Sequence, residues 1–500
     1  MPPNPLLIYL GLFFSGAAFP LSLAPYSYWP IAIISMAALF ISLPYQTPKN
    51  AFKRAVIYGL GMFGTGISWV FISMHSFGDV SLLFAMIGTA LFCALNAVVF
   101  ALPFILCALI PQRQALWFVA LPAIWVISEW ARSWVLTGFP WLYAGYSHTD
   151  TWLNGWAPIG GVLLLSYFTA VIATVLAQSR LHKNLHQSVA AFSLIAVLFL
   201  CGLALQKINW TEPVDKPISV ALIQPNVDQS DKWSLAMRSQ ILQNLVSQTQ
   251  PYWGADIIIW PEGAIPVLYT QVTNFLNMIH QRALAHKTAL ITGLPTNSKP
   301  EGPYYNSMLA LGAGHGIYNK TRLVPFGEYI PFETLIRGLN NFFDLPMSSF
   351  SLGSKHQQPL MAAGLNLSTA ICYEIAYPDL VAKNTRNTNI ILTVSNDAWF
   401  GNSIAPYQHM QMARMRAVEN AKPVIRATNN GITALVDHRG TIVSQLNQFS
   451  TGVLTGEVRP YIGETPFSKL ASWPIVIFSL LLILLLLINK ARSHSLREKK

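Results

Sequence analysis

The sequence predicts a multi-pass bundle of membrane-spanning helices joined to an external α/β domain of about 250 residues. Two observations predict this combination. Of the 500 residues, 53% are hydrophobic and only 11% are charged, which is typical of membrane proteins. From about residue 217 onwards, long apolar runs give way to short ones that alternate with polar, helix-like stretches. The first feature indicates the bundle, and the second indicates the α/β domain.

Eight apolar windows are long enough for a helix to cross a bilayer, which takes roughly 17–25 residues. The windows are 5–22, 28–44, 55–75, 81–109, 115–136, 156–178, 187–206 and 468–489. We therefore expect seven transmembrane helices in residues 1–206, an external domain in 207–467, an eighth span in 468–489 and a basic tail in 490–500. The fourth window is longer than a span requires, so a tilt or a kink near Pro103 is expected.

Basic residues in the short loops predict the orientation, because Lys and Arg are retained on the cytoplasmic side. The basic residues that follow spans two, four, six and eight are Lys49, Lys53, Arg54, Arg113, Arg180, Lys183, Lys490, Arg492, Arg497, Lys499 and Lys500. The alternate loops, near 23–27, 76–80 and 137–155, contain neither residue type. We expect both termini in the cytoplasm and 207–467 on the opposite side. Topology thus explains the basic loops, and without a basic stripe no nucleic-acid partner is expected.

The fifth window has two features with more than one interpretation. Glu129 and Arg132 are three residues apart and share one helical face, where they are either paired or functional, or else extend toward the bilayer surface. The loop that follows contains Phe139, Trp141, Tyr143 and Tyr146. These aromatic residues predict either a belt at the membrane interface or a platform for a lipid headgroup beside an external active site. On the second interpretation, Trp141 contacts substrate.

Short apolar runs in the external segment predict strands, and polar stretches between them predict helices. The predicted strands are Ser219–Ile223, Asp256–Trp260, Ala289–Gly293, Met308–Leu311, Leu367–Ile371, Ile390–Val394, Val424–Ala427 and Thr433–Val436. The predicted helices are 234–250, 271–286 and 405–421. Alternation of this kind predicts a layered α/β domain.

Three of the predicted strands are followed by residues able to do chemistry. Glu262 follows the second strand, Lys320 follows the fourth after a glycine-rich turn, and Cys372 follows the fifth. The other three cysteines lie in apolar spans, so Cys372 has no disulfide partner within the external segment. Each residue alone is a weak signal. Together they supply a base, a cation and a nucleophile, which acyl transfer through a thioester requires.

Three motifs in this order, WPEG, YNKTRLVPFGEYIP and ICYEIAYPD, resemble those of the carbon–nitrogen hydrolase (nitrilase) superfamily. The eight spans, together with EWARSWVLTGFPWL and VSNDAWFG, look like the apolipoprotein N-acyltransferase family of the bacterial inner membrane. The resemblance covers essentially the whole chain. It implies a nitrilase-like αββα sandwich on the periplasmic side of the membrane.

By that resemblance, Glu262 is the general base, Lys320 stabilises the tetrahedral intermediate and Cys372 carries the acyl group. Glu328 and Glu374 resemble acidic residues that keep the lysine and the thiol correctly charged and placed. The reaction implied has two steps. An acyl chain passes from the sn-1 position of a phospholipid, expected to be phosphatidylethanolamine, to the cysteine. It then passes to the α-amine of a diacylglyceryl-cysteine at the N-terminus of an apolipoprotein.

Further contacts are expected around that triad. Trp233, in QSDKW, resembles a substrate-contacting aromatic residue, and the N–H of Tyr373 is expected to bind the oxyanion beside the lysine ammonium. Residues 330–352 are too apolar for a free loop. They predict either a lid that enters the membrane interface, with Phe342 and Phe343 contacting acyl chains, or a helix packed on the sheet. No metal or organic cofactor is expected, and the chain is expected to act as a monomer.

Other functions stay open at this point. One is a membrane-tethered amidase acting on a small substrate, although a tether needs one span and not eight. Another is a transporter with an external binding domain, which inverted repeats or interrupted spans would indicate. No clear repeat is present in the sequence. A third is a non-catalytic α/β domain, against which the complete Glu–Lys–Cys set argues.

Overall fold

The computed structural model describes residues 4–111, 114–178, 185–214, 216–297, 302–329 and 350–498. The chain divides into two compact units. The first, called the helical unit, contains Met1–Phe71, Leu83–Ile208 and Leu470–Lys500. The second, called the sheet unit, contains Asn209–Lys469 together with Ile72–Leu82. A short segment from within the predicted bundle therefore belongs to the sheet unit.

Proline and capping side chains set where several helices begin. The α-helices of the described residues are α1 (Pro5–Ala18), α2 (Pro30–Ser42), α3 (Pro48–Gly66), α4 (Val70–His75), α5 (Leu82–Ala101), α6 (Gln114–Ala131), α7 (Ala157–Gln178), α8 (Leu185–Leu205), α9 (Gln229–Lys232), α10 (Arg238–Thr249), α11 (Thr273–Ala285), α12 (Pro378–Asn384), α13 (Ala405–Asn420), α14 (Pro466–Leu470) and α15 (Trp473–Glu498). Pro5, Pro30 and Pro48 occupy first-turn positions, where the N–H that proline lacks has no partner within the helix. The Thr47 side chain accepts from the N–H of Asn50 and caps α3.

Five helical segments among the described residues are long and apolar enough to cross a membrane. They are Pro5–Ser22, Leu82–Leu109, Trp152–Gln178, Ser188–Leu205 and Trp473–Arg492. These segments lie in the first, fourth, sixth, seventh and eighth predicted windows. Pro30–Ser42 and Leu116–Ala131, in the second and fifth windows, are apolar but shorter. The structure thus has several membrane-length helices, and the number of eight spans stays a prediction.

The third window is not one continuous helix, contrary to the prediction for 55–75. α3 begins at Pro48 and ends at Gly66, and the separate helix α4 follows it. A Cβ on Gly66 would lie 2.5 Å from the Leu142 side chain, so the two residues pack closely at this helix end. Because α3 begins early, the three basic residues predicted between spans two and three lie in its first two turns.

The helix type changes in the fourth window near Pro103, where the sequence predicted a tilt or a kink. α5 ends at Ala101, and the chain continues as a 3-10 helix over Leu102–Leu109. Pro103 lies in the first turn of that second segment. Proline cannot donate the hydrogen bond that would continue the α-helix, so the change of helix type occurs at this residue.

Glu129 and Arg132 do not extend toward the bilayer surface, because both are buried, at 0% and 1% exposure. Glu129 Oε1 accepts hydrogen bonds from Trp125 Nε1 at 2.8 Å and from the N–H of Ala144 at 2.7 Å. Arg132 Nη1 donates to the carbonyl oxygen of Trp141 at 2.6 Å. The two charged residues therefore connect the loop after α6 to that helix.

The aromatic residues of that loop lie mostly inside the helical unit. Trp141, Tyr143 and Tyr146 are each 1% exposed. The Trp141 ring packs against Trp69 and stacks on Phe139, with ring centroids 5.3 and 5.5 Å away. The Trp141 ring is therefore packed among other aromatic residues of the helical unit, and its contact with substrate stays a prediction.

Within the described residues, the sheet unit contains two six-stranded sheets and one two-stranded pair. The strands are β1 (Glu212–Pro213), β2 (Ile218–Gln224), β3 (Ile257–Ile259), β4 (Ala289–Asn297), β5 (Tyr304–Gly312), β6 (Ile317–Asn319), β7 (Leu360–Ala362), β8 (Leu365–Ile371), β9 (Ile390–Ser395), β10 (Val424–Thr428), β11 (Ala434–Val436), β12 (Ile442–Gln445), β13 (Gly452–Val458) and β14 (Tyr461–Ile462). The first sheet has the order β13-β2-β3-β4-β5-β6, and the second has β12-β11-β10-β9-β8-β7. The eight predicted strands and three predicted helices are all present, with ends that differ by a few residues.

Three buried clusters show that the sheets and helices form an αββα sandwich, as predicted. Between the sheets, Leu222 and Ile259 of the first share one cluster with Leu392 and Ile425 of the second. α10 and α11 cover the outer face of the first sheet, and α12 and α13 cover that of the second. A strand such as β3 is therefore buried on both faces, which explains its continuous apolar run.

Strand direction brings residues distant in sequence to one edge of each sheet. β2, β3 and β4 are parallel, as are β8, β9 and β10. β5 is antiparallel to both β4 and β6, so β6 runs in the same direction as β3. Glu262 follows β3 and Lys320 follows β6, while Cys372 and Asn396 follow β8 and β9 of the second sheet. All four residues therefore leave their sheets at the carboxyl ends of strands.

Candidate active site

Lys320 lies between two carboxylates at the carboxyl edge of the first sheet. Its Nζ is 3.2 Å from Glu262 Oε1 and 2.9 Å from Glu328 Oε1. Lys320 is only 1% exposed, and burial alone would lower the pKa of its ammonium. Glu262 and Glu328 outweigh this effect and raise that pKa well above its usual value. Lys320 is therefore a permanent cation at neutral pH.

Two asparagines orient the Glu262 carboxylate. Asn306 Nδ2 donates to Glu262 Oε1 and to Glu328 Oε1, each at 2.8 Å, so one amide joins both acids. The N–H of Asn396 donates to Glu262 Oε2 at 2.8 Å. Burial would raise the pKa of Glu262, but Lys320 and these donors lower it. Glu262 is thus ionised and able to accept a proton. Asn396 lies in the VSNDAWFG motif, whereas Asn306 belongs to no motif that the sequence interpretation used.

Cys372 begins a turn immediately after β8. Its φ is 51°, and a 3-10 helix continues over Cys372–Ala376. A positive φ is uncommon for a residue other than glycine and recurs at functional sites. The residue is partly exposed, and the charges of Glu262 and Lys320 both act on its sulfur. Burial and Glu262 raise the pKa of the thiol, whereas Lys320 lowers it. The three residues of the predicted triad therefore share one site with a resting thiol.

Glu374 joins the Cys372 turn to the loop that carries Lys320. Its Oε2 accepts the N–H of Ile371 at 2.8 Å, and its Oε1 accepts the N–H and the hydroxyl of Thr321, each at 2.7 Å. Burial raises the pKa of Glu374, and the N–H groups of Ile371 and Thr321 oppose that effect. Glu374 therefore places the backbone on both sides of the site.

Tyr373, Trp233, Phe342 and Phe343 were also predicted to belong to the site. The Tyr373 ring is 8% exposed and meets Tyr377 edge-on at a centroid distance of 5.2 Å. Trp233 is partly buried and directly follows α9. The two phenylalanines of the predicted lid, Phe342 and Phe343, lie outside the described residues. Substrate contact by Trp233 and oxyanion binding by the N–H of Tyr373 stay predictions.

The structure adds a second lysine, which the sequence interpretation missed. Lys232 is 4% exposed, and its Nζ donates to the carbonyl oxygen of Glu262 at 3.0 Å. Burial lowers the pKa of Lys232 to about 8, although Glu262 and Cys372 act in the opposite direction. Below that pH, Lys232 adds a second positive charge beside Glu262, in addition to that of Lys320. Lys232 lies in the QSDKW stretch, in which only the neighbouring Trp233 was predicted to be functional.

Two family models match this chain. The one described as carbon-nitrogen hydrolase matches residues 219–467, and the one described as apolipoprotein N-acyltransferase N-terminal domain matches residues 15–175. The first match contains every residue of the site described above. The second lies mainly in the part of the chain that forms the helical unit.

Curated relatives of this chain share one name, apolipoprotein N-acyltransferase. The relative from Vibrio parahaemolyticus is 43% identical over 489 residues, covering 94% of this chain and 95% of the relative. The one from Pseudomonas syringae pv. tomato is 42% identical over 477 residues, covering 94% of each chain. The one from Vibrio cholerae is 42% identical over 480 residues, covering 93% of this chain and 94% of the relative. The similarity therefore extends through both units.

Glu374→Gln should destabilise the sheet unit. The glutamine amide would present an NH2 group to either the Ile371 N–H or the Thr321 N–H, and a buried donor left without an acceptor costs about 1–3 kcal/mol. The free energy of unfolding measures the effect. Glu457→Gln, which changes an exposed carboxylate of β13, is the matched control and should leave stability unchanged. Equal stability of both variants would contradict the role of Glu374 in holding the backbone at Ile371 and Thr321.

Lys232→Met should raise the pKa of the Cys372 thiol, because a nearby cation favours the thiolate. A pKa higher by about one corresponds to roughly tenfold slower alkylation at a pH below it. The pH dependence of iodoacetamide labelling at Cys372 measures this change. Lys216→Met, at an exposed lysine of the same unit, should label like the unmodified protein. Unchanged labelling in Lys232→Met would show that its charge does not reach the sulfur.

Proposed function

This chain belongs to the apolipoprotein N-acyltransferase family, and on that premise we propose that it transfers an acyl chain from a phospholipid, through a thioester on Cys372, to the N-terminal amine of a lipoprotein. It is an acyltransferase with a carbon-nitrogen hydrolase domain. One observation supports the mechanism most directly. The buried Lys320 ammonium, 3.2 Å from Glu262, acts on a partly exposed thiol, so nucleophile, base and cation share one site.

In the first step, the Cys372 sulfur attacks the ester carbonyl carbon while Glu262 accepts the thiol proton. This proton transfer is unfavourable in the resting site, because the pKa of Glu262 is lowered and that of the thiol is raised. It becomes favourable as the S–C bond forms and negative charge moves to the ester oxygen, where the Lys320 ammonium stabilises it. The C–O bond then breaks, the departing oxygen takes the proton from Glu262, and a lysophospholipid leaves.

In the second step, the α-amine of the acceptor attacks the thioester carbonyl carbon. Glu262 accepts a proton from the attacking nitrogen, and Lys320 again stabilises the oxyanion. The C–S bond breaks, and the Cys372 thiolate regains a proton from Glu262. The site returns to its resting charges with an amide as product. The N–H of Tyr373 is the proposed second donor to the oxyanion in both steps.

The proposed donor is the sn-1 acyl chain of phosphatidylethanolamine, and the proposed acceptor is the diacylglyceryl-cysteine of an apolipoprotein. The names of the relatives support the acceptor, since each contains the word apolipoprotein. Trp233, partly buried beside Lys232, is the proposed substrate-contacting ring. Contact of Phe342 and Phe343 with acyl chains belongs to the predicted lid, outside the described residues.

Both proposed substrates are lipids, so their chemistry requires an enzyme at a membrane. The five membrane-length helices of the described residues support this location. We propose that the chain lies in the bacterial inner membrane with eight spans, seven in residues 1–206 and one in 468–489. On this proposal 207–467 is periplasmic, while both termini, including the 490–500 tail, are cytoplasmic. The chain would act as a monomer and without a metal or an organic cofactor.

A membrane-tethered amidase and a transporter with an external binding domain are less well supported. The curated relatives match 93–94% of this chain, helical unit included, and carry an acyltransferase name. An amidase would resolve the acyl-enzyme with water, whereas an acyltransferase resolves it with an amine. The fate of a labelled acyl chain therefore distinguishes the two enzymes, and a transporter would form no acyl-enzyme.

Phosphatidylethanolamine labelled in its sn-1 chain should acylate Cys372. Peptide mass spectrometry should find a thioester that neutral hydroxylamine removes, and a diacylglyceryl-cysteine lipopeptide should then receive the label as an amide. Cys372→Ala should abolish labelling, whereas Cys201→Ala, which removes an exposed thiol of α8, should retain it. Release of the label as free fatty acid, with the lipopeptide unmodified, would indicate a hydrolase instead.

Lys320→Met should slow both half-reactions by about 10²–10³-fold, the loss typical of removing one oxyanion donor. Methionine retains much of the side-chain volume but leaves Glu262 and Glu328 without their shared cation. Single-turnover rates of acylation and of transfer to the lipopeptide measure the two steps. Lys383→Met, at an exposed lysine of α12, should change neither rate. A preserved rate in Lys320→Met would remove the ammonium from the mechanism.

A further inference from the structure

The backbone of Cys372 needs contacts that hold it in place. Its φ of 51° is a left-handed conformation that residues with a Cβ rarely adopt, and it persists only where surrounding contacts fix it. The residue begins a turn between the extended strand β8 and a 3-10 helix. The backbone conformation of this turn sets the direction of the Cα–Cβ bond of Cys372, and therefore the direction of its thiol.

Side chains fix the peptide groups on both sides of Cys372. On the preceding side, the N–H of Ile371 donates to Glu374 Oε2 at 2.8 Å. On the following side, the carbonyl oxygen of Cys372 lies 3.1 Å from His409 Nε2. His409 comes from α13 and is fully buried. Glu374 already has a proposed supporting role, whereas His409 belongs to no motif singled out in the sequence.

The neighbours of His409 determine its tautomer. A carbonyl oxygen only accepts hydrogen bonds, so Nε2 must carry the hydrogen that reaches Cys372. The other nitrogen, Nδ1, lies 3.1 Å from Arg426 Nη2 and 3.2 Å from Asp397 Oδ1. Burial and the Arg426 charge lower the pKa of His409 despite Asp397, which favours a neutral ring whose Nδ1 accepts from the guanidinium. The imidazole is thus oriented to donate to the Cys372 carbonyl.

The same cluster also reaches the sulfur. Asp397 Oδ2 accepts from Arg426 Nη2 at 2.7 Å, and Asp397 Oδ1 accepts from the hydroxyl of Ser395. The Ser395 side chain in turn acts on the Cys372 thiol and lowers its pKa. Ser395, Asp397, His409 and Arg426 are each at most 2% exposed. A set of buried contacts therefore extends from the Cys372 carbonyl, through His409 and Asp397, to Ser395.

We propose that His409, oriented by Asp397 and Arg426, is a positioning residue that holds the Cys372 backbone so that the thiol can attack the acyl carbon. The inference rests on the proposed function, in which Cys372 carries the acyl chain. His409 takes no proton from the substrate in this role. It acts through the cysteine, so its loss should lower kcat for acylation and leave the KM for phospholipid unchanged.

Two substitutions of similar polarity separate this role from simple packing. The amide nitrogen of glutamine can reach the place of His409 Nε2 and donate to the Cys372 carbonyl, whereas that of asparagine reaches only the place of Nδ1. His409→Asn should lower kcat about 10²-fold, the loss that a small displacement of a reacting group produces. His409→Gln should recover most of that loss. His315→Asn, at an exposed histidine, is the matched control and should retain full activity.

The experiment measures three quantities for each variant: single-turnover acylation, the rate of Cys372 alkylation by iodoacetamide, and the melting temperature. A slow His409→Asn with unchanged KM, recovered in His409→Gln, supports the proposal. Equal loss in both variants, or full acylation in His409→Asn, overturns it. If the unmodified protein forms no acyl-Cys372, the proposed function fails. The alkylation rates of the two variants then still test whether His409 positions the thiol.

Discussion

The rest of the site depends on the buried ion pairs that Lys320 makes with two carboxylates. An ammonium removed from water is stable only where opposite charges and hydrogen-bond acceptors surround it. Glu262 and Glu328 provide both, and one amide of Asn306 joins the two acids. Two acids with one lysine would leave excess negative charge beside the thiol, and the nearby ammonium of Lys232 adds a second positive charge there. The charges of both lysines act on Glu262 and on the Cys372 sulfur, the two groups between which the proton moves in the proposed first step.

The direction of the strands determines where the residues of the site lie. β3 and β6 of one sheet and β8 and β9 of the other contribute Glu262, Lys320, Cys372 and Asn396 from the ends of the strands. The backbone N–H of Asn396 crosses from the second sheet to the Glu262 carboxylate of the first. The packing of the two sheets is therefore part of the catalytic geometry. A change in the core between them would move the base relative to the nucleophile.

Sequence reasoning succeeded where the signal was local. Buried strands produce continuous apolar runs, and the residues after them, Glu262, Lys320 and Cys372, could be named as chemical groups before their distances were known. Sequence reasoning failed where contacts between residues distant in sequence determine the local structure. The predicted span over 55–75 is interrupted after Gly66, where the Leu142 side chain of a loop distant in sequence packs against the helix end. Five aromatic and charged residues, Glu129, Arg132, Trp141, Tyr143 and Tyr146, are buried because the loop after α6 folds back onto its own helix.

The sequence alone determined which residue types follow which strands, how much of the chain is apolar, and that Glu262, Lys320 and Cys372 occur in the order base, cation, thiol. These properties reside in short stretches, so they can be read without coordinates. The tertiary structure decided the rest: that Lys232 adds a second positive charge beside Glu262, that Asn306 joins two acids, and that His409 reaches the carbonyl of Cys372. The physical reason is that electrostatic and hydrogen-bond energies depend on distances of a few ångströms between groups whose separation along the chain carries no information about those distances.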